Sequence, residues 1–254
     1  MVLQSILAKR FGQRIKQLTL LRADGLHFLP DQIQKISEPN LDKCQDCPAR
    51  IFRQDIPFWI GPHSGKKVMV IAQDAGKGIE DHGLNTVFSI HNAHLDPEAY
   101  FKASPRHEGY FNLFRDVIGH DRFLHDIYFT DIVKCAYSTD AQTSFSSAVC
   151  KEDILMEIEA VNPKGLILMG KAAQTAFSTM SEMNGMKLSV VTHDSCQINS
   201  RGQIHFVHYT LNTMHVFFIP HLIGNLHIAR DMKEEFLLFK NRITSCIQKT
   251  LNEE

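Results

Sequence analysis

Four short apolar runs punctuate the chain at wide intervals: Val68–Ile71, Ile127–Val133, Gly165–Met169 and His215–Ile219. Each is bounded by turn or polar residues, as buried strands are, and the stretches between carry helical periodicity. Strands that alternate with helices pair in parallel and need cover on both faces, so an α/β fold with a mostly parallel sheet is expected. One helical segment spans Asp96 to Gly119, with Tyr110, Leu113, Phe114 and Val117 on one face. A second runs from Glu152 to Val161, with Ile154, Leu155, Ile158 and Val161 aligned and Asn162-Pro163 as the stop. A third opens at Gly170-Lys171 and continues through Phe177, and a fourth covers Ala229 to Leu251. Leu188–Val191 and Ile204–Tyr209 read as short strands or a hairpin. The Ser/Thr/Ala-rich residues 136–149 and the segment through Trp59 read as loops.

A chain of 254 residues forms one large α/β domain or two small ones. No internal repeat or linker divides it. Residues 1–40 read as an N-terminal extension, broken by Pro30 and Pro39, and 41–254 as the domain. The amino-terminal segment mixes Lys and Arg with Leu and Ile, so no signal peptide is expected, and no run approaches the ~20 apolar residues of a membrane span. A cytosolic, monomeric protein with no membrane association is expected, and in that compartment structural disulfides are rare. The net charge of −1 does not advertise a nucleic-acid binder, yet a local basic groove fits within a neutral total. The fourteen histidines show no HxH or HExxH spacing and read mostly as surface or satisfied core residues.

The first apolar run ends in Gln73-Asp74, followed by Gly76 and Gly78. In open α/β sheets, ligands bind outside the carboxyl ends of strands, and glycines let backbone N–H groups approach them. A plain tight turn has the same composition, so the loop becomes a candidate only with its context.

The six cysteines are Cys44, Cys47, Cys135, Cys150, Cys196 and Cys246. Cys44 and Cys47 form a CxxC ahead of the first core strand. Cys135 ends the second strand, and Cys150 follows after fourteen intervening residues, before the expected helix. Four thiolates in a reducing compartment favour a metal over disulfides, and spacing alone leaves zinc, iron–sulfur and unrelated buried thiols open. Cys196 and Cys246 have no partner at ligand spacing.

From about Cys44 to Arg230 the chain resembles the iron–sulfur branch (family-four-like) of the uracil-DNA glycosylase superfamily, as a divergent member. The resemblance rests on the CxxC, "IGPHSGKKVMVIAQDAG", the "GIED" stretch with Phe88 beyond it, "YFTDIVKC", Cys150, "NPKGLILMGKAAQTAF" and "IPHLIG". It implies a three-layer α/β/α sandwich around a parallel four-stranded sheet. It also implies a 4Fe-4S cluster on Cys44, Cys47, Cys135 and Cys150, and a role in base-excision DNA repair. Asp74 is similar to the water-activating aspartate of the classical enzymes, without the Pro and Tyr that follow it there. Many iron–sulfur members carry an acidic residue at the position of Gln73. Phe88 corresponds to the ring that stacks on the base. His221 corresponds to the histidine opening the last motif, with Leu222-Ile223 in place of Pro-Ser or Pro-Ala. Asp131 stands where an asparagine commonly reads the edge of uracil.

Such chemistry has a physical logic. An enzyme acting on a base flips it from the stack into a pocket. Cleavage of the glycosidic bond passes through an oxocarbenium-like sugar, which a carboxylate such as Asp74 stabilises. A histidine such as His221 hydrogen-bonds to the departing base anion. The expected partner is DNA, single- or double-stranded, carrying a damaged base. Lys66, Lys67, Lys77, Lys171 and Arg230 lie near strand ends or motif loops as candidates for phosphate contacts. Two alternatives stand beside this reading. One is a non-catalytic iron–sulfur DNA-binding or accessory protein that retains the fold. The other is a nucleotide-binding protein using Gly76-Lys77-Gly78, which lacks the GK[ST] pattern.

Overall fold

A computed structural model describes residues 58–59, 64–73, 105–119, 126–133, 140–199, 202–220 and 233–252. Chain order is β1 (Phe58–Trp59), β2 (Val68–Ala72), α1 (Pro105–Ile118), β3 (Ile127–Asp131), α2 (Asp140–Val161), β4 (Gly165–Met169), α3 (Lys171–Met183), β5 (Ser189–Asn199), β6 (Gly202–Leu211), β7 (Met214–Ile219) and α4 (Lys233–Asn252). One sheet contains all seven strands, in the order β1-β3-β2-β4-β7-β6-β5.

The parallel part is the expected one. β3, β2, β4 and β7 pair in parallel, with Val70 opposite both Phe129 and Ile167, and Ile167 opposite Phe217. Every residue of β4 is buried, as is β2 up to Ile71, because helices cover both faces. From β2 the chain steps to β3 and then returns past β2 to β4. With right-handed crossovers, that reversal sends α1 to one face and α2 and α3 to the other. α4 lies beside α1, where Gln248 Nε2 donates to the Asp116 carbonyl at 2.8 Å. Its buried residues Phe236, Phe239, Ile243, Ile247 and Leu251 recur every three or four positions. Leu251 comes so close to β4 that a Cβ on Gly165 would meet its Cδ2 at 2.8 Å and the Phe217 ring at 3.3 Å. A side chain there would require Leu251 and the Phe217 ring to give way.

The sheet is larger than the four strands expected. Between α3 and β7 the chain forms a long hairpin, β5–β6, and β6 pairs antiparallel with β7. Leu211 and Met214 face each other across a two-residue turn in which Asn212 takes φ 55°, a left-handed conformation that asparagine tolerates. The hairpin joins rather than replaces the core because β7 must run parallel to β4, leaving its other edge open. At the opposite margin, β1 pairs antiparallel with β3 in the segment expected to be a loop.

The second helix also departs from expectation. Residues 136–149 were expected to form a loop, but α2 begins at Asp140, so Cys150 lies inside the helix rather than ahead of it. Its inward face is also different. Cys150, Asp153, Ile154, Glu157 and Val161 are buried, whereas Leu155 and Ile158 are only partly so. The stop is as read: Asn162 closes the helix at φ 46°, its N–H donating to the Ile158 carbonyl at 2.8 Å, before Pro163.

Candidate functional site

The carboxyl ends of the parallel strands form one rim of the sheet. Ala72 on β2 lies directly opposite Asp131 on β3. The pairing continues past the strands, with Ile132 N–H donating to the Ala72 carbonyl at 2.9 Å and Val133 N–H to the Gln73 carbonyl at 3.1 Å. These two chain ends therefore leave the sheet together, as one braced edge. Gln73 is half-buried at its end, and Asp131 is only 5% exposed. Asp131 shares a row with Phe129, whose ring meets Phe114 of α1 edge-on at 5.5 Å between centroids. A carboxylate withdrawn this far from water is costly to hold unless its environment or a ligand compensates it.

The chain reverses direction between β2 and β4, so these strands flank the crevice in which open α/β sheets bind ligands. On the β4 side, Gly170 bends the chain into α3 with φ 82° and ψ 156°, a conformation open to glycine. Gly170 N–H donates to the Ile219 carbonyl at 3.0 Å, and Gln174 Nε2 donates to the same carbonyl at 2.6 Å. Gln174 Nε2 also lies 3.3 Å from the Leu168 carbonyl. This amide clamps β4 to β7 just before Pro220 and so fixes where the chain departs toward His221. Sequence reading missed Gln174, because a glutamine one turn into a helix carries no distinguishing signal.

Of the residues expected at the site, the structure describes Gln73, Asp131 and Cys150. It brings Gln73 and Asp131 to adjacent strand ends. Cys150 is 2% exposed on the inward face of α2. Asp74, Phe88, His221, Cys44, Cys47 and Cys135 lie outside the described residues, as do Lys77, Arg230 and the whole of the N-terminal extension 1–40. Two of the candidates for phosphate contacts lie at the amino ends of the strands. Lys66 is 3% exposed at the amino end of β2, the rim opposite the site, and burial pushes its pKa down to about 8 against the raising effect of Asp126. Lys67 sits at that same rim and donates to Asn252 Oδ1 at 2.7 Å. Lys171, exposed at the first position of α3, is at the carboxyl rim.

The face of α2 below Cys150 was also illegible in the sequence. Glu157 is fully buried, and the hydroxyl of fully buried Tyr128 on β3 has its pKa raised well above the usual value, by burial first and by the Glu157 charge second. Among the described residues, no group of three or more His, Cys, Asp or Glu side chains is arranged to hold a metal ion. No helix of the described residues is long and apolar enough to cross a membrane.

Comparison with known proteins adds the family. No curated protein matches the chain. The family model described as "Uracil DNA glycosylase superfamily" matches residues 58–239, spanning every core strand and the rim just described. With that match over most of its length, the chain belongs to the uracil-DNA glycosylase superfamily.

Proposed function

We propose that the protein is a DNA glycosylase that hydrolyses the N-glycosidic bond of a deaminated base, most simply uracil, in base-excision repair. The observation that carries this reading is the rim: the strand end leading to Asp74 is braced against Asp131 beside the crevice, inside the region the family model matches. In this mechanism the C1′–N bond breaks and its electron pair leaves with the base. Asp74 stabilises the oxocarbenium-like sugar and orients the water that adds at C1′. His221 hydrogen-bonds to the base anion, an interaction that strengthens as charge develops. Phe88 stacks on the flipped ring, and Gln73 and Asp131 meet its edge.

Asp131 decides the base. Uracil offers N3–H as a donor and O4 as an acceptor. An ionised aspartate accepts from N3–H but faces O4 with a second acceptor, a mismatch of about 1–3 kcal/mol in a dry pocket. A protonated Asp131 satisfies both atoms, and an ionised one suits a base with a donor in place of O4. Release of uracil, hypoxanthine and xanthine from single-stranded DNA should be compared for wild type, Asp74→Asn and Asp131→Asn. The expected result is base release by wild type, a loss of at least about 100-fold in Asp74→Asn, and stronger uracil release at neutral pH in Asp131→Asn. DNA binding with no release of any base would favour the accessory-protein alternative. Unchanged base preference and pH profile in Asp131→Asn would remove that residue from base reading.

The 4Fe-4S cluster on Cys44, Cys47, Cys135 and Cys150 belongs to the same proposal. Four thiolates are the donor set such a cluster takes, and the burial of Cys150 suits a ligand shielded from solvent. The cluster would tie the segment bearing the CxxC to α2, a structural service separate from the glycosidic step. About four irons per chain are expected in anaerobically purified protein, and stoichiometric zinc without iron would refute the assignment.

A further inference from the structure

The sheet extension carries two histidine pairs of opposite character. His208 Nε2 and His215 Nδ1 lie 3.0 Å apart, but His208 is 4% exposed and stacks on Phe217 with centroids 4.6 Å apart. That pair is closed in. His193 and His205 are both exposed, with Nε2 of His193 3.1 Å from Nδ1 of His205. They come from neighbouring antiparallel strands: His193 is opposite Val207 and His205 opposite Ser195, so the two are diagonal neighbours on one face of the hairpin. Asp194, between His193 and Ser195, turns to the other face, where Arg242 of α4 holds it at 2.6 Å.

We propose that His193 and His205 form an open binding site for a divalent transition metal ion. Imidazole nitrogens ligate such ions at about 2.0–2.1 Å, so two of them in a right-angled or tetrahedral arrangement stand about 2.8–3.4 Å apart. The observed 3.1 Å lies within that interval before any metal enters. The register of β5 on β6 fixes the two Cα positions, and the exposed rings need only turn to aim their lone pairs at a common point. The ion replaces the hydrogen bond the rings now share. No third protein ligand completes the site among the described residues, so water fills the remaining positions and the ion stays exchangeable. Imidazole pairs with water prefer Cu(II), Ni(II) and Zn(II) over Mg(II) or Ca(II), with Cu(II) the tightest. This inference is independent of the glycosylase reading, since it uses neither the rim residues nor the cluster cysteines.

The test is a calorimetric titration of the full chain with Ni(II), on wild type and the variants His193→Gln and His205→Gln. Because cysteines elsewhere also take up metal, the difference between proteins is the readout. Each substitution should weaken one site by at least about tenfold. Imidazole NMR spectra with diamagnetic Zn(II) should show selective shifts at His193 and His205, with His208 and His215 unmoved. Unchanged Ni(II) binding in either variant, shifts confined to other histidines, or no saturation below about 1 mM in wild type would overturn the proposal. Both substituted residues are exposed, and thermal melts of the variants check that the hairpin is intact.

Discussion

β4 and β6 lie two strands apart in the same sheet, and their side chains keep different company. All five residues of β4 are buried, because α-helices cover both of its faces. Along β6, buried Ile204, Phe206 and His208 alternate with residues that reach solvent, because only one face is covered. Phe206 and Phe217 stack nearly parallel, their centroids 6.4 Å apart, which carries the covered face of the core onto the hairpin. The difference teaches that apolarity along a strand reports what lies above and below it, not membership of the sheet. A region with one wet face can change its exposed residues freely, and this one carries histidines there.

The largest expected contrast is between truncations in the two regions. Ile167→Ala, at a fully buried position on β4, should cost about 2–5 kcal/mol in a denaturant titration. Val190→Ala, at a position 63% exposed on β5, should stay within about 0.5 kcal/mol. Similar costs at both sites would break the comparison.

A smaller effect sharpens it through acid. Burial first, and the neighbouring His215 second, push the pKa of His208 down to about 4 from the ordinary 6.5. Between those values the unfolded chain takes up a proton that the folded one refuses, so stability falls as pH drops from about 6.5 to about 4. The loss should approach about 3 kcal/mol at most, and His208→Gln should flatten that part of the profile. An unaltered slope in the variant would mean that another group carries the acid sensitivity.

The smallest effect concerns the bond between α4 and the hairpin. Arg242 Nε donates to Asp194 Oδ2 at 2.6 Å, but the arginine side chain is 53% exposed. The Arg242 hydrogen bond is the main reason that the Asp194 pKa lies below its usual value. Arg242→Ala should cost only about 0.2–1 kcal/mol, and less in high salt. A salt-independent cost would point instead to lost packing of the arginine stem over Phe239, whose ring centroid lies 5.6 Å from the guanidinium carbon.

The parallel core was legible because its strands are continuous apolar runs: Gly165–Met169 appears in the structure with the boundaries read from the residues. The length of the hairpin was not, since Thr192, His193 and Asp194 interrupt any apolar pattern and their pairing comes from β6. The start of α2 was hidden for a related reason. Ser and Thr favour turns locally, yet Asp140–Val161 is one helix. Buried Glu157 could not be found at all, because an acid in a helix reads as a solvent-facing residue. At the site, the sequence supplied Gln73 and Asp131 as separate candidates. Their adjacency is a matter of register between β2 and β3, which no local pattern encodes.

β5 is the outer strand of the sheet, eleven residues long, with one row of backbone groups turned away from β6. Such a margin invites another chain to add itself as the next strand and start an aggregate. The register of β5 on β6 slips between Val190 and Thr192 and again between Gln197 and Asn199. A register shift near each end leaves only Thr192–Gln197 in regular register. That short, polar stretch offers an intruding strand few consecutive partners. The irregularities that make the hairpin hard to read from sequence thereby shorten the template that its outer edge presents to another strand.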